Sequence, residues 1–215
     1  MGNSMSTIIN ATTTNGVVIQ PDNSGSLVLQ TNNGTTALTI STAQNATFAG
    51  TVAVPTGTLY PLVSSTAVAS TSGTSIDFTS IPSWVKRITV MFSGVSTNGA
   101  SPVQVQIGSG SVTTSGYVST CANGYAANSV AVDSSSTGFI TQNASASSAR
   151  NGQMVLTNIS GNIWVSAHMM GDISGQGGGV GGGNITLSGL LDRVRITTVG
   201  GTNTFDAGSI NILYE

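Results

Sequence analysis

The first 55 residues alternate short apolar runs with turn sequences at intervals of about ten residues. Within a run only one face of an extended chain is apolar, as for Leu27 with Leu29 and Leu38 with Ile40. The turn sequences are Pro-Asp-x-x-Gly and Asn-Gly, which are typical of tight connections between strands. The pattern predicts strands at residues 17–20, 27–30, 37–40 and 47–50.

A segment this small cannot bury enough apolar area to be stable by itself. Its predicted strand edges also carry no Lys or Glu that would oppose edge-to-edge association. Both problems disappear if identical chains wrap around a common axis. Residues 1–55 are therefore predicted to form an N-terminal attachment segment and an intertwined, oligomeric β-stem, three-fold in its simplest form. The predicted stem core comprises Leu27, Leu29, Leu38, Ile40 and Phe48.

Residues 56–75 are rich in Ser, Thr and Ala and contain Pro61, which predicts a neck or linker. After it, period-two runs recur between Gly, Ser and Asn turns, and they predict about ten strands over residues 76–215. This length suits a β-sandwich or jelly-roll-like head with a core of its own. The predicted strands lie at residues 76–78, 87–92, 103–107, 117–121, 130–132, 154–158, 163–169, 184–187, 193–198 and 210–214.

Charge is scarce throughout the chain, with five Lys plus Arg and seven Asp plus Glu among 215 residues. This charged share of 6% and the net charge of −2 leave no basic surface for nucleic acid or for an anionic membrane. No apolar run reaches the roughly 18 residues of a membrane-spanning helix. Cys121 is the only cysteine, so we expect no disulfide framework and folding in a reducing compartment. The period-two runs throughout the chain therefore predict an all-β protein.

The sequence offers little support for a catalytic function. A glycosidase needs two facing carboxyl groups, and the seven acidic residues are scattered, with Asp192 more naturally paired to Arg193 or Arg195. His168 is the only histidine; Asp172 lies nearby, but no Gly-x-Ser-x-Gly motif accompanies it. One His and one Cys also match no zinc spacing. We expect no enzymatic activity, no metal and no cofactor.

Two groups of aromatic residues are candidates for a ligand surface. In the strand at residues 163–169, alternation predicts a core face and an opposite face that carries Trp164 and His168, a mixture suited to sugars. The alternative is that Trp164 packs at a subunit interface. Tyr117 and Tyr125 lie in a stretch rich in Gly, Ser and Asn, which is typical of adaptable recognition loops.

Residues 171–189 are rich in glycine and predict a mobile or tightly turning loop between two strands. The alternative is that the glycine backbone presents peptide groups to a ligand, with Gly177, Gly178 and Gly179 as the candidate positions. A phosphate-binding loop is not expected, because no Lys follows and no βαβ pattern surrounds the glycines.

The stem sequence resembles repeats in the fibres of tailed bacteriophages. The motifs are a Leu-x-Leu strand, an Asn-Gly turn, a Leu-x-Ile strand and a Phe-x-Gly-x-Val step, all within GSLVLQTNNGTTALTISTAQNATFAGTV. The resemblance covers about residues 16–54. The head, from IPSWVKRITVMFSGVSTNG to LLDRVRITTVGGTNTFDAGSINILYE, more loosely resembles the C-terminal β domains of such fibres.

This resemblance implies a homotrimeric tail fibre or adhesin of the virion, assembled in the cytoplasm of the host bacterium. Its N-terminal region would attach to other virion proteins, such as a tail adaptor, a nozzle or the capsid. Its head would contact a glycan or a protein of the host surface. The alternative is a capsid decoration protein or head fibre that has no receptor role, and a polysaccharide depolymerase is a more distant one.

Overall fold

The computed structural model describes residues 26–31, 34–50, 53–54, 57–58, 60–125, 129–142, 145–172 and 177–215. All of the regular structure in these residues is β-strand, and every strand pair is antiparallel, which confirms the all-β prediction. No helix that could span a membrane occurs in this described part of the chain. The chain divides into two compact units, Met1–Leu59 and Tyr60–Glu215.

The first unit contains a three-stranded sheet in the order β1–β2–β3 and a short two-stranded pair, β4 with β5. Three of the four strands predicted here are present, and the run at residues 17–20 lies outside the described residues. The strands are β1 (Leu27–Thr31), β2 (Thr35–Ile40), β3 (Ala46–Phe48), β4 (Ala53–Val54) and β5 (Gly57–Thr58).

The second unit contains the other fourteen described strands, distributed between two sheets. All ten strands predicted from the alternating pattern have a counterpart among them, although several are longer than predicted. The strands are β6 (Val63–Ser64), β7 (Val68–Ala69), β8 (Ser75–Thr79), β9 (Arg87–Thr97), β10 (Val103–Ser109), β11 (Ser111–Val112), β12 (Val118–Tyr125), β13 (Ser129–Ser135), β14 (Phe139–Ile140), β15 (Arg150–Ser160), β16 (Ile163–Asp172), β17 (Gly177–Thr186), β18 (Arg193–Thr198) and β19 (Phe205–Tyr214).

The two sheets of this unit share one hydrophobic core. The large sheet has the order β13–β12–β17–β16–β15–β9–β19–β6, with β7 also on β19. The small sheet has the order β11–β10–β18–β8, with β14 also on β10. Val90 and Leu156 of the large sheet and Val105 and Ile196 of the small one are fully buried in the same cluster. Apolar residues that alternate along each strand build this core, because successive side chains point to opposite faces of a sheet.

The segment predicted as a neck contains two strands of the large sheet. β6 and β7 both pair with β19, and Ser70 donates its hydroxyl to the carbonyl oxygen of Ala207 at 2.8 Å. Tyr60 stacks on Trp84 with ring centroids 5.0 Å apart. The predicted boundary at residues 75–76 therefore differs from the division between Leu59 and Tyr60. The runs around Val63 and Val68 are too short to be recognised as strands without their partner.

The glycine-rich segment is a strand for most of its length, so its prediction as a loop is wrong. β17 pairs with β12 on one side and with β16 on the other, in the interior of the large sheet. Glycine generally weakens a strand, but it is favoured where the backbone of a neighbouring strand approaches closely. The neighbours of Gly183 illustrate this, because a side chain there would overlap the backbone at Val118 and Ser119.

Candidate interaction surfaces

The five residues predicted as the stem core lie on one face of the three-stranded sheet. Leu38 stands opposite Leu29 on one side and opposite Phe48 on the other, and Leu27 stands opposite Ile40. Directly opposed residues of antiparallel strands point to the same face. In the single chain Leu29 is 40% exposed and Phe48 is 53% exposed. The fold thus brings all five to one surface, and their burial against other copies stays a prediction.

The candidate ligand residues of β16 lie inside the second unit, Tyr60–Glu215, which we call the head. Trp164 is only 3% exposed and His168 only 7%, whereas Met169 on the opposite face is 70% exposed. The predicted assignment of the two faces is therefore reversed, and Trp164 and His168 form no surface. Both faces of this strand carry apolar residues, so alternation alone could not tell which one faces the core.

Tyr117 is also buried, which contradicts its interpretation as a recognition residue in a loop. Its ring packs edge-on against Phe139, with centroids 4.9 Å apart. Its hydroxyl accepts a hydrogen bond from the Ile107 backbone N–H at 2.7 Å and lies 3.1 Å from the carbonyl oxygen of Thr113. Burial raises the pKa of Tyr117 well above its ordinary value of 10.0. The residue fixes the start of β12 to the small sheet.

The remaining predicted ligand residues, Tyr125 and Gly177–Gly179, differ in burial and in whether their side chains are described. Tyr125 ends β12, and its side chain lies outside the described residues. Gly177 and Gly178 are half-buried at the start of β17, and Gly179 is buried. A Cβ atom on Gly179 would lie 2.8 Å from the Cβ of Gln142 and 3.0 Å from the sulfur of Cys121. Gly179 therefore faces the interior and presents no peptide group to a ligand.

The only cysteine and the only histidine meet inside the head, which their separation of 47 residues did not predict. His168 Nε2 lies 3.4 Å from Cys121 Sγ and donates to the carbonyl oxygen of Thr141 at 2.6 Å. The thiol of Cys121 donates to the same carbonyl and lies 3.5 Å from Asn123 Oδ1. Asn123 in turn donates to Asp133 Oδ2 at 3.1 Å.

The electrostatics of this pair oppose nucleophilic chemistry. Burial raises the pKa of the Cys121 thiol to about 11, and the negative charge of Asp133 acts in the same direction. Burial lowers the pKa of His168 below 6.5, although its bond to the Thr141 carbonyl opposes the shift. A reactive cysteine needs a thiolate, usually next to a protonated histidine. Both groups are neutral here, so the pair acts as a hydrogen-bonded part of the core.

Most acidic residues of the head have structural partners. Asp192 forms an ion pair with Arg193 at 2.7 Å and Asp77 forms one with Arg195 at 2.6 Å, so the predicted pairing of Asp192 is present. Arg87 pairs with Glu215. Among the described residues no three His, Cys, Asp or Glu side chains come together in a way that could hold a metal ion.

A polar groove on the small sheet is a candidate surface that the sequence pattern did not reveal. Its volume is about 310 Å³. Gln106 stands opposite Arg195 in the pairing of β10 with β18, and Gln104 stands opposite Thr197. Gln106 donates to the Thr137 carbonyl at 2.8 Å, which fixes its amide. The lining residues are Thr74, Ser75, Gln104, Gln106, Thr114, Thr137, Arg195, Thr197, Thr198, Val199, Gly200 and Gly201.

The groove has a buried floor of amide and hydroxyl groups, more exposed hydroxyl groups on Thr74 and Thr114, and one cation. Arg195 donates two hydrogen bonds to Asp77, at 2.6 and 2.8 Å, so its charge is balanced within the chain. Such a surface offers hydrogen bonds to a neutral, hydroxyl-rich ligand and little attraction to an anion. Its residues come from β8, β10, β18 and the connecting loops, and their common location depends on the sheet order.

Comparison with known proteins gives no relative for this chain. No protein-family model matches it, and neither does any curated protein or any solved structure.

Proposed function

We propose that this chain is a self-associating structural subunit of a bacteriophage virion, a short trimeric tail fibre with a β-stem and a β-rich head. The observation that carries the proposal is the apolar face of the sheet β1–β2–β3, which gathers Leu29, Leu38 and Phe48 and leaves them partly exposed. The resemblance of the stem motifs to phage fibres supplies the biological setting.

The stem sheet needs a partner for physical reasons. Three strands of three to six residues cannot bury an apolar face by themselves, and isolated small sheets of this kind are marginal in water. Burial of the face against identical faces of other copies would stabilise the assembly by about 1.5–3 kcal/mol for each large apolar side chain that becomes fully covered. A closed arrangement of identical copies around one axis covers every face, and the resemblance to phage fibres favours three copies.

In this proposal the N-terminal region attaches to other virion proteins and the head meets the host surface. The more accessible residues of the polar groove, Thr74, Thr114 and Arg195, replace Trp164 and Tyr117 as the candidate contact for a host glycan. Hydroxyl groups suit such a ligand, because each can donate or accept a hydrogen bond without a change of charge.

Competition for adsorption tests the proposed function. Purified full chain should bind susceptible cells and slow adsorption of the phage, and Thr114→Trp should weaken both effects because an indole ring at this exposed position would fill the groove. Ser115→Trp is the matched control, since Ser115 is exposed next to Thr114 but does not line the groove.

Two results would contradict this proposal in different ways. Equal competition by both variants would remove the groove as the contact but leave the adhesin function standing. Absence of any binding or competition by the full chain, together with antibody labelling over the capsid instead of the tail, would favour the capsid decoration protein.

A further inference from the structure

We infer that the outer face of the large sheet, over β13, β12, β17, β16 and β15, is a docking surface for a second copy of this chain. The inference rests on the proposed self-association and adds a contact within the head to the contact of the stem. We call this surface the outer face.

A row of apolar side chains crosses the outer face from strand to strand. Ala122 stands opposite Val132 on one side and opposite Val180 on the other, and Val180 stands opposite Met169. Val132 is 69% exposed, Val180 55% and Met169 70%. Because directly opposed residues share a face, these side chains form one continuous apolar ridge.

A row without side chains lies beside this ridge. Gly124 stands opposite Gly178, and Gly178 stands opposite Gly171. These positions are two residues from Ala122, Val180 and Met169 along their strands, so they point to the same face. The outer face therefore carries a ridge next to a hollow, and around a three-fold axis the ridge of each copy can fit the hollow of the next copy.

The chemistry of the outer face favours a copy of the chain as its occupant. None of the residues that point outward from these five strands, among those described, is charged. A partner that covers the ridge must be apolar and must bring no charge, because an unpaired charge buried there would be costly. The outer face of another copy meets both requirements.

The size of the outer face fits an interface between subunits. Strands about 4.8 Å apart with a rise of about 3.3 Å per residue give five strands a face of about 550 Å² over the seven residues of β13. A stable interface buries about 800 Å² on each partner. The outer face supplies part of this area, and the stem contact would add to it.

Oxidative footprinting of the full chain tests the inference. Hydroxyl radicals oxidise exposed methionine, so Met169 should be oxidised several-fold more slowly in the assembled wild-type protein than in Val180→Asp, which places a charge in the ridge. Leu190→Asp is the matched control, because Leu190 is 57% exposed and Val180 is 55% exposed, and it should keep the wild-type rate.

The mass of each variant, measured by light scattering, separates the possible outcomes. An assembled wild-type protein in which Met169 reacts as fast as in Val180→Asp overturns the docking surface and leaves the stem assembly intact. A monomeric wild-type protein contradicts the proposed function itself. Protection of Met169 in the virion but not in the purified assembly would identify another virion protein as the occupant, and this also overturns the inference.

Discussion

At the scale of single residues, the head buries several polar groups, among them His168, which the sequence suggested was exposed. His168, Cys121 and Asn123 form a hydrogen-bonded group around the Thr141 carbonyl. Arg150 is buried as well, and its Nη1 lies 3.5 Å from the carbonyl oxygen of Val95. Burial lowers the pKa of Arg150 to about 10, although the charge of Asp172 opposes the shift. Hydrogen bonds offset the loss of water only in part for these residues, because Arg150 Nε, Arg150 Nη2 and His168 Nδ1 are buried with no hydrogen-bond partner among the described residues.

The buried histidine predicts a dependence of stability on pH. Because the pKa of His168 is lower in the folded state than its ordinary 6.5, the unfolded chain binds more protons between these two values. The contribution of His168 is therefore complete above about pH 6.5 and is lost as the pH falls toward the folded pKa.

Urea unfolding at several pH values measures this effect. Wild-type protein should lose more free energy of unfolding between about pH 7 and pH 5 than His168→Gln, which has no imidazole to protonate. The comparison concerns the change with pH, so a lower overall stability of the variant does not affect it. Parallel pH profiles of the two proteins would show that protonation of His168 does not act on the folded state.

At the scale of elements, the glycine strand β17 holds the large sheet together by close approach. A Cβ atom at Gly181 would overlap the carbonyl oxygen of Thr120 and the imidazole of His168. Gly124, in the neighbouring strand β12, has open space where its Cβ would be. The two positions differ in what surrounds them, although both lie in the same sheet.

This difference predicts the effect of alanine at each position. Gly181→Ala should lower the free energy of unfolding by about 1–3 kcal/mol, the cost of overpacking a filled site. Gly124→Ala should change it by less than about 1 kcal/mol. Chemical denaturation of both variants provides the measurement, and equal stability of the two would mean that strands β12, β17 and β16 do not approach as closely as described.

The positions of the strands could be predicted from the sequence better than the face of each strand that is buried or the residues that meet in the folded sheets. Alternation located the three-stranded sheet of the first unit and at least part of every long strand of the head, because period two is a local property of the chain. It could not identify the inner face of β16, since Trp164 and Met169 are both apolar and only the sheet order decides which is buried. It found only the last residues of β17, because the glycines before them carry no alternation, and it could not find the polar groove, whose residues meet only after the sheets form.

At the scale of the whole molecule, charge is scarce, and most of the cationic side chains are paired or buried within the chain. Three of the five cationic residues, Arg87, Arg193 and Arg195, form ion pairs, and Arg150 is buried. The proposed contacts between copies would therefore depend on apolar burial and hydrogen bonds, and added salt should not weaken them, because screening acts mainly on exposed charges.

The mass of the purified full chain in solution, measured by light scattering, is the most direct test of assembly through the stem. The wild-type protein should have three times the 21.5 kDa mass of one chain at low and at high salt. Leu29→Asp should lower the mass, because it places a charge on the apolar face of the stem sheet. Thr47→Asp, on the opposite face of the same sheet, should keep the wild-type mass. A wild-type mass of 21.5 kDa, or an unchanged mass for Leu29→Asp, would contradict assembly through the stem.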